Sequence, residues 1–153
     1  MAKKKKTHFP VFADIRGKTA VIIGGGTVAA RRAEILCGFD LSVCVVAPEI
    51  CRQIQELTVY ENLRIIHRSY CTDDLAGAFL VIAATDRREI NREIGKICRE
   101  NGTLVNVADC HEESSFYFPA IAKNAEITVG ITGNGCCHKQ VAQTAQAIRE
   151  LIE

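Results

Sequence analysis

The sequence has almost no charge of one sign in excess. Nineteen Lys and Arg stand against eighteen Asp and Glu, a formal net charge of +1 over 153 residues. That balance gives no electrostatic case for nucleic acid or a membrane surface as a main partner. Long apolar runs are also missing: nothing approaches the roughly 20 residues that a spanning helix needs. The basic run Lys3 to Lys6 is not followed by the apolar core of a secretory leader, so residues 1–8 read as a solvated basic tail. No repeat, low-complexity stretch or Pro/Gly-rich linker divides the rest. A soluble, cytoplasmic protein is expected, and the length suits one domain, which can bury roughly 70% of its unfolded surface.

Cysteine is the exception to this scarcity, with eight residues. Without a secretory leader they read as reduced thiols rather than a disulfide framework. The even spacing of Cys37, Cys44 and Cys51 crosses a helix, a strand and a second helix, so the three need not share a face, and chance explains it.

Apolar runs at 19–23, 41–47, 63–66, 78–84 and 103–107 alternate with helical stretches near 27–38, 49–57 and 87–101. Near-continuous apolar runs such as Phe79 to Ala84 fit parallel strands buried on both faces. The expected fold is α/β, a Rossmann-like doubly wound parallel sheet over residues 9–112. A strand–strand–helix segment over 113–153 follows, with strands at 116–120 and 126–132 and a helix from about 138 to 153. The aromatic run Phe116-Tyr117-Phe118 suggests that this segment is covered by a second copy of the chain, giving a homodimer.

The first strand feeds into Gly24-Gly25-Gly26 and then a helix-forming sequence. In a Gly-x-Gly-x-x-Ala turn the first glycine turns the chain, the second leaves room for a pyrophosphate, and Ala29 allows close helix packing, with helix-terminal N–H groups facing the anion. A nucleotide cofactor is therefore expected. Ligands of such sheets lie beyond the carboxyl ends of the strands, which makes Gly24, Gly25, Gly26, Thr27, Val28, Ala47, Pro48 and Thr85 the candidate cofactor residues. Glu49 comes late for the ribose-binding acid of NAD folds; it serves either ribose or the start of the next helix. No Arg stands there, which favours NAD over NADP. Thr85 and Asn106, at strand ends, hydrogen-bond either cofactor or backbone.

Five segments in order, Phe9-Pro10-Val11-Phe12, GGGTVAARR at 24–32, VIAATD at 81–86 with Asn91, LVNVAD at 104–109 and FYFPAI at 116–121, resemble the precorrin-2 dehydrogenase family, the NAD-binding part of siroheme synthases. The resemblance covers about residues 8–132. It implies removal of two hydrogens from precorrin-2 to give sirohydrochlorin and NADH, with ferrous iron insertion in some members. Asp109 matches the aspartate this family uses and is the candidate catalytic residue; a turn or helix cap is its plainer role. His111 is a metal or propionate contact or a surface histidine.

The sequence departs from that family at Thr132 to Lys139, where Cys137 and His138 replace the expected Ser and Pro, and a short member without the additional helical domain is expected. A separate protein supplying that region is one expectation. Cys136, Cys137 and His138 invite a metal, but lack the C-x-x-C spacing of a strong site, so no metal ligands are assigned. Two other readings stay open. One is a non-catalytic NAD-binding regulatory or scaffold module; the other is the nucleotide-sensing domain of a potassium-transport complex.

Overall fold

A computed structural model describes residues 8–133 and 138–153. The chain begins β1 (Thr19–Ile23), α1 (Thr27–Cys37), β2 (Ser42–Ala47), α2 (Arg52–Glu56) and β3 (Leu63–His67). It continues β4 (Leu80–Ala83), α3 (Arg88–Glu100) and β5 (Leu104–Val107). These five strands pair in parallel in the order β3-β2-β1-β4-β5. The chain runs outward from β1 to β3 and then crosses back to lay β4 on the other side of β1, so the switch point lies between β1 and β4.

Burial on both faces explains why the strands read as continuous apolar runs. Ala20, Ile22, Val43, Val45 and Ile82 face α1, which presents Ala29, Ala30 and Ala33 and so lies close to the sheet. Val21, Ile23, Val81, Ala83, Val105 and Val107 face Ile94 and Cys98 of α3. Cys37 belongs to the first of these clusters and Cys51 packs against it, while Cys44 packs against the second. The even spacing of these three thiols is thus without a common face. All six cysteines among the described residues are free, and burial pushes the thiols of Cys37 and Cys98 up to about 11.

The helix expected near 49–57 is shorter: α2 spans Arg52–Glu56 and continues as a 3₁₀ turn, Leu57–Val59. The larger correction is at 116–120, where residues 116–119 form no strand and Ala120 alone belongs to one. After β5 a 3₁₀ turn, His111–Glu113, leads into irregular chain that lies along the β5 edge. The Ser114 hydroxyl accepts from Val107 N–H and the Ser115 hydroxyl from Val105 N–H, both at 2.8 Å, while Ser115 N–H donates to the Val105 carbonyl at 2.8 Å. Side-chain oxygens thus occupy edge donors that another strand would otherwise take. Phe116 and Phe118 pack onto the α1 side of the core, and the Arg32 guanidinium sits 4.5 Å over the Phe118 ring. Only after Pro119, which has no N–H to give a ladder, does β6 (Ala120–Lys123) begin, pairing antiparallel with β7 (Thr128–Ile131). Helix α4 (His138–Ile152) packs back on that pair through Ala145, and Arg149 donates to the Ile121 carbonyl at 2.9 Å. Lys123 ties the pair to the sheet domain by donating to the Gly38 carbonyl at 2.6 Å. Among the described residues no helix is long and apolar enough to cross a membrane.

Candidate functional site: a nucleotide cleft beside a carboxylate

Strands β1, β2 and β4 end at the floor of a cleft of about 800 Å³, within the range of cofactor sites. Its walls include Gly24, Gly25, Gly26, Thr27, Val28, Ala47, Pro48 and Thr85, together with Glu49, Tyr70, Asp86 and Ile90. All eight candidate cofactor residues are therefore brought to one place.

The three glycines do different work there. Gly24 has φ +132°, and a Cβ on it would collide with the Ala84 carbonyl of the loop after β4. A Cβ on Gly25 would collide with the carbonyl of Glu49, whose loop is also held by a 2.7 Å bond from Cys51 N–H to the Gly25 carbonyl. Around Gly26 nothing lies within 4 Å of an added Cβ. The first two glycines let three loops meet, and the third leaves open space at the first turn of α1. That turn carries neither a side-chain cap nor an acidic residue, so its leading N–H groups keep their capacity for an anion. These features fit a dinucleotide pyrophosphate.

Glu49 is exposed on the β2 side of the cleft. Among the described residues neither Lys nor Arg lines that side, and the cation on the wall is Arg87, after β4, which is paired with Glu89 at 2.9 Å.

Asp109 follows β5, one strand beyond the cleft wall, with its side chain 38% exposed. It is not among the lining residues. Its Oδ2 accepts from Asn91 Nδ2 at 3.0 Å and its Oδ1 from Arg88 at 3.2 Å. Arg88 also pairs closely with Glu113, which Arg92 approaches at 4.0 Å. The Arg88–Glu113 contact raises the guanidinium pKa and lowers that of the carboxyl. Thr85, in the cleft wall, is held by Asn91 and by Arg87 rather than standing free. Asn106 is buried and donates to the Phe116 carbonyl at 3.2 Å, so its partner is backbone. His111 is exposed, edge-on to Tyr117 and 6.3 Å from the His138 ring. Cys136 and Cys137 lie outside the described residues. Among those described, no three His, Cys, Asp or Glu come together as a metal site.

Sequence reasoning quoted Asn91 only as a letter in a motif, and missed Arg88 and Glu113. A signal for Asn91 existed: it occupies position 91 of the buried stripe 91, 94, 95, 98 on α3, and a polar side chain on such a stripe needs partners.

Residues 11–120 match the model of a family described as NAD(P)-binding. The chain belongs to that family. Among curated relatives it is 38% identical over 145 residues to the "Probable multifunctional siroheme biosynthesis protein HemA" of Ruminiclostridium josui, covering 94% of this chain and 28% of that protein. It is 34% identical over 146 residues to the siroheme synthase of Photorhabdus laumondii, covering 95% of this chain and 30% of the relative. Against the siroheme synthase of Ectopseudomonas mendocina identity is 37% over 144 residues, with 94% and 30% covered. The chain thus spans less than a third of the length of these relatives. The fold is that of a solved structure titled SirC, precorrin-2 dehydrogenase, with a TM-score of 0.75 and 23% identity, covering 94% of this chain and 71% of that one.

Proposed function

We propose that this protein is an NAD-dependent dehydrogenase that oxidises precorrin-2 to sirohydrochlorin. The observation that carries the reading is the position of Asp109: a half-exposed carboxylate at the open end of β5, one strand from the nucleotide cleft. The siroheme synthase relatives supply the substrate class. Gly26 and the N-terminal turn of α1 would hold the pyrophosphate, and Thr85 would face the nicotinamide half. Glu49, on a side of the cleft that no Lys or Arg lines among the described residues, favours an unphosphorylated ribose and hence NAD over NADP. NAD supplies a hydride acceptor. Asp109 would take a proton from the substrate as hydride leaves, since a carboxylate can act as a general base. Arg88 and Asn91 hold its two oxygens in one orientation. The six free thiols among the described residues support a cytoplasmic setting.

We also propose a homodimer formed through the segment after β5. Ile127 and Leu151 leave apolar surface exposed there, and Phe9 and Phe12 do so on the arm before β1. A monomeric mass by light scattering at micromolar concentration would count against it.

The test is anaerobic absorbance with NAD and enzymatically generated precorrin-2. NADH and sirohydrochlorin should rise together, and Asp109→Ala should lower kcat by about 10²- to 10⁴-fold with an unchanged circular dichroism spectrum. NAD binding without turnover in the wild type would instead mark a nucleotide-binding module without this activity. Unchanged kcat in a folded Asp109→Ala variant would remove the role given to the carboxylate. Iron insertion is a separate assay, with ferrous iron and sirohydrochlorin.

A further inference from the structure

Asn91 is fully buried on α3, and every hydrogen-bonding capacity of its amide is used. Its Oδ1 accepts from the Thr85 N–H at 3.0 Å and from the Thr85 hydroxyl at 2.7 Å. Its Nδ2 donates to the Thr85 carbonyl at 3.0 Å and to Asp109 Oδ2 at 3.0 Å. The orientation of the amide is fixed by this pattern: two acceptors face one end, and the Thr85 N–H faces the other. One side chain therefore grips both main-chain polar groups of a residue in the cleft wall and, with its remaining hydrogen, the carboxylate beyond the cleft.

We infer that Asn91 is a positioning residue that sets the Asp109 carboxylate at a fixed place relative to the nucleotide cleft. Without the Nδ2 donor the carboxylate keeps, among the described residues, only Arg88, a long side chain 45% exposed and shared with Glu113. That leaves Oδ2 free to rotate away. An amide is required at position 91, because a carboxylate there would turn acceptors toward both the Thr85 carbonyl and Asp109 Oδ2. The inference rests on the proposed dehydrogenase reading for its catalytic consequence, but the placement of the carboxylate can be read without turnover.

The experiment compares wild type, Asn91→Asp, Asp109→Asn and the double swap Asn91→Asp/Asp109→Asn in the 153-residue chain. It follows kcat, KM for precorrin-2, thermal unfolding, and the carboxyl ¹³C resonance of Asp109. N91D should lower kcat about a hundredfold, the cost of misplacing a reacting group by about 1 Å, change KM for precorrin-2 less than threefold, and shift the Asp109 resonance. The double swap restores a donor–acceptor pair with its polarity reversed. It should recover thermal stability over N91D yet remain inactive, because the carboxylate has moved from 109 to 91. A merely structural Asn91 predicts the opposite: once folded, N91D would keep kcat within threefold of wild type and leave the Asp109 resonance in place, and either result overturns the inference. Should N91D fail to fold, Asn91→Ser carries the same two readouts with a smaller, uncharged side chain. If the wild type shows no turnover, the dehydrogenase reading fails. The Asp109 resonance then decides the inference alone: a shift on substitution of Asn91 sustains it, and an unmoved resonance ends it.

Discussion

The two ends of the molecule are fixed by different physics. From β1 to β3 the chain is held by backbone: parallel ladders, alanines that bring α1 against the sheet, and glycines that let the loops after β1, β2 and β4 touch. From Ser114 onward, beside the short β6–β7 ladder, it is fastened largely by side chains: two serine hydroxyls on the β5 edge, Arg32 over Phe118, Lys123 on the Gly38 carbonyl and Arg149 on the Ile121 carbonyl. The first kind of construction writes a periodic signature into the sequence. The second does not.

The glycine turn gives the largest expected effect and divides structure from ligand within three residues. Gly25→Ala forces a methyl group into the Glu49 carbonyl, with Ala47 also within 3.0 Å. The Glu49 backbone and the Ala47 Cβ, fixed to its own strand, cannot give way cheaply, so a loss of about 3 kcal/mol or more is expected in urea unfolding, at the upper end of overpacking costs. Gly26→Ala meets nothing within 4 Å, and its stability should stay within about 0.5 kcal/mol of wild type. Its NAD affinity should nevertheless fall by about tenfold or more by calorimetry, because the methyl group enters the space left for the pyrophosphate. Equal NAD affinity in Gly26→Ala and wild type would remove the turn from the cofactor site.

The same division decides how much the sequence discloses. Strands β1, β2 and β4 could be placed within two residues of their ends because they are buried on both faces and therefore apolar throughout. The loops that line the cleft followed from the strand ends and the doubly wound topology alone. Residues 116–118 have the composition of a strand, yet their backbone runs irregularly beside β5 because Ser114 and Ser115 satisfy its edge first. Nothing local distinguishes a serine that caps a distant edge from one in a polar turn. Asp109 was legible through its place after β5, whereas its partners Arg88 and Asn91 lie 21 and 18 residues away in sequence, and only the adjacency of β4 and β5 brings them together.

The serine edge can be broken one hydroxyl at a time. Ser115→Ala leaves Val105 N–H without its 2.8 Å acceptor, and Ser114→Ala does the same to Val107 N–H. Both valines are buried, and an orphaned buried donor costs about 1–3 kcal/mol. Each variant should lose about that much in urea unfolding. Hydrogen exchange at the corresponding valine amide should rise with it, while amides of β1 and β2 keep their protection relative to the new global stability. Unchanged exchange at Val105 in Ser115→Ala would mean that the edge is covered without the hydroxyl.

The smallest effect expected lies just beyond β3, outside both regions, and depends on pH. Asp74 accepts twice from the Arg68 guanidinium, at 2.8 and 2.6 Å, and once from the Cys71 N–H at 2.9 Å. The hydrogen bonds from Arg68 lead in drawing its pKa down from 3.8 to about 2. Its side chain is 7% exposed, but that of Arg68 is 46% exposed, and solvent on the cation reduces the contribution to about 1 kcal/mol. Because the folded carboxyl binds its proton less readily than the unfolded one, the contribution is complete above about pH 4 and disappears as pH falls through about 2. Asp74→Asn should therefore be less stable than wild type at pH 7 by about that amount, and the two stability curves should converge between pH 4 and 2. Parallel curves over that range would show that Asp74 acts through the Cys71 turn and not through its charge.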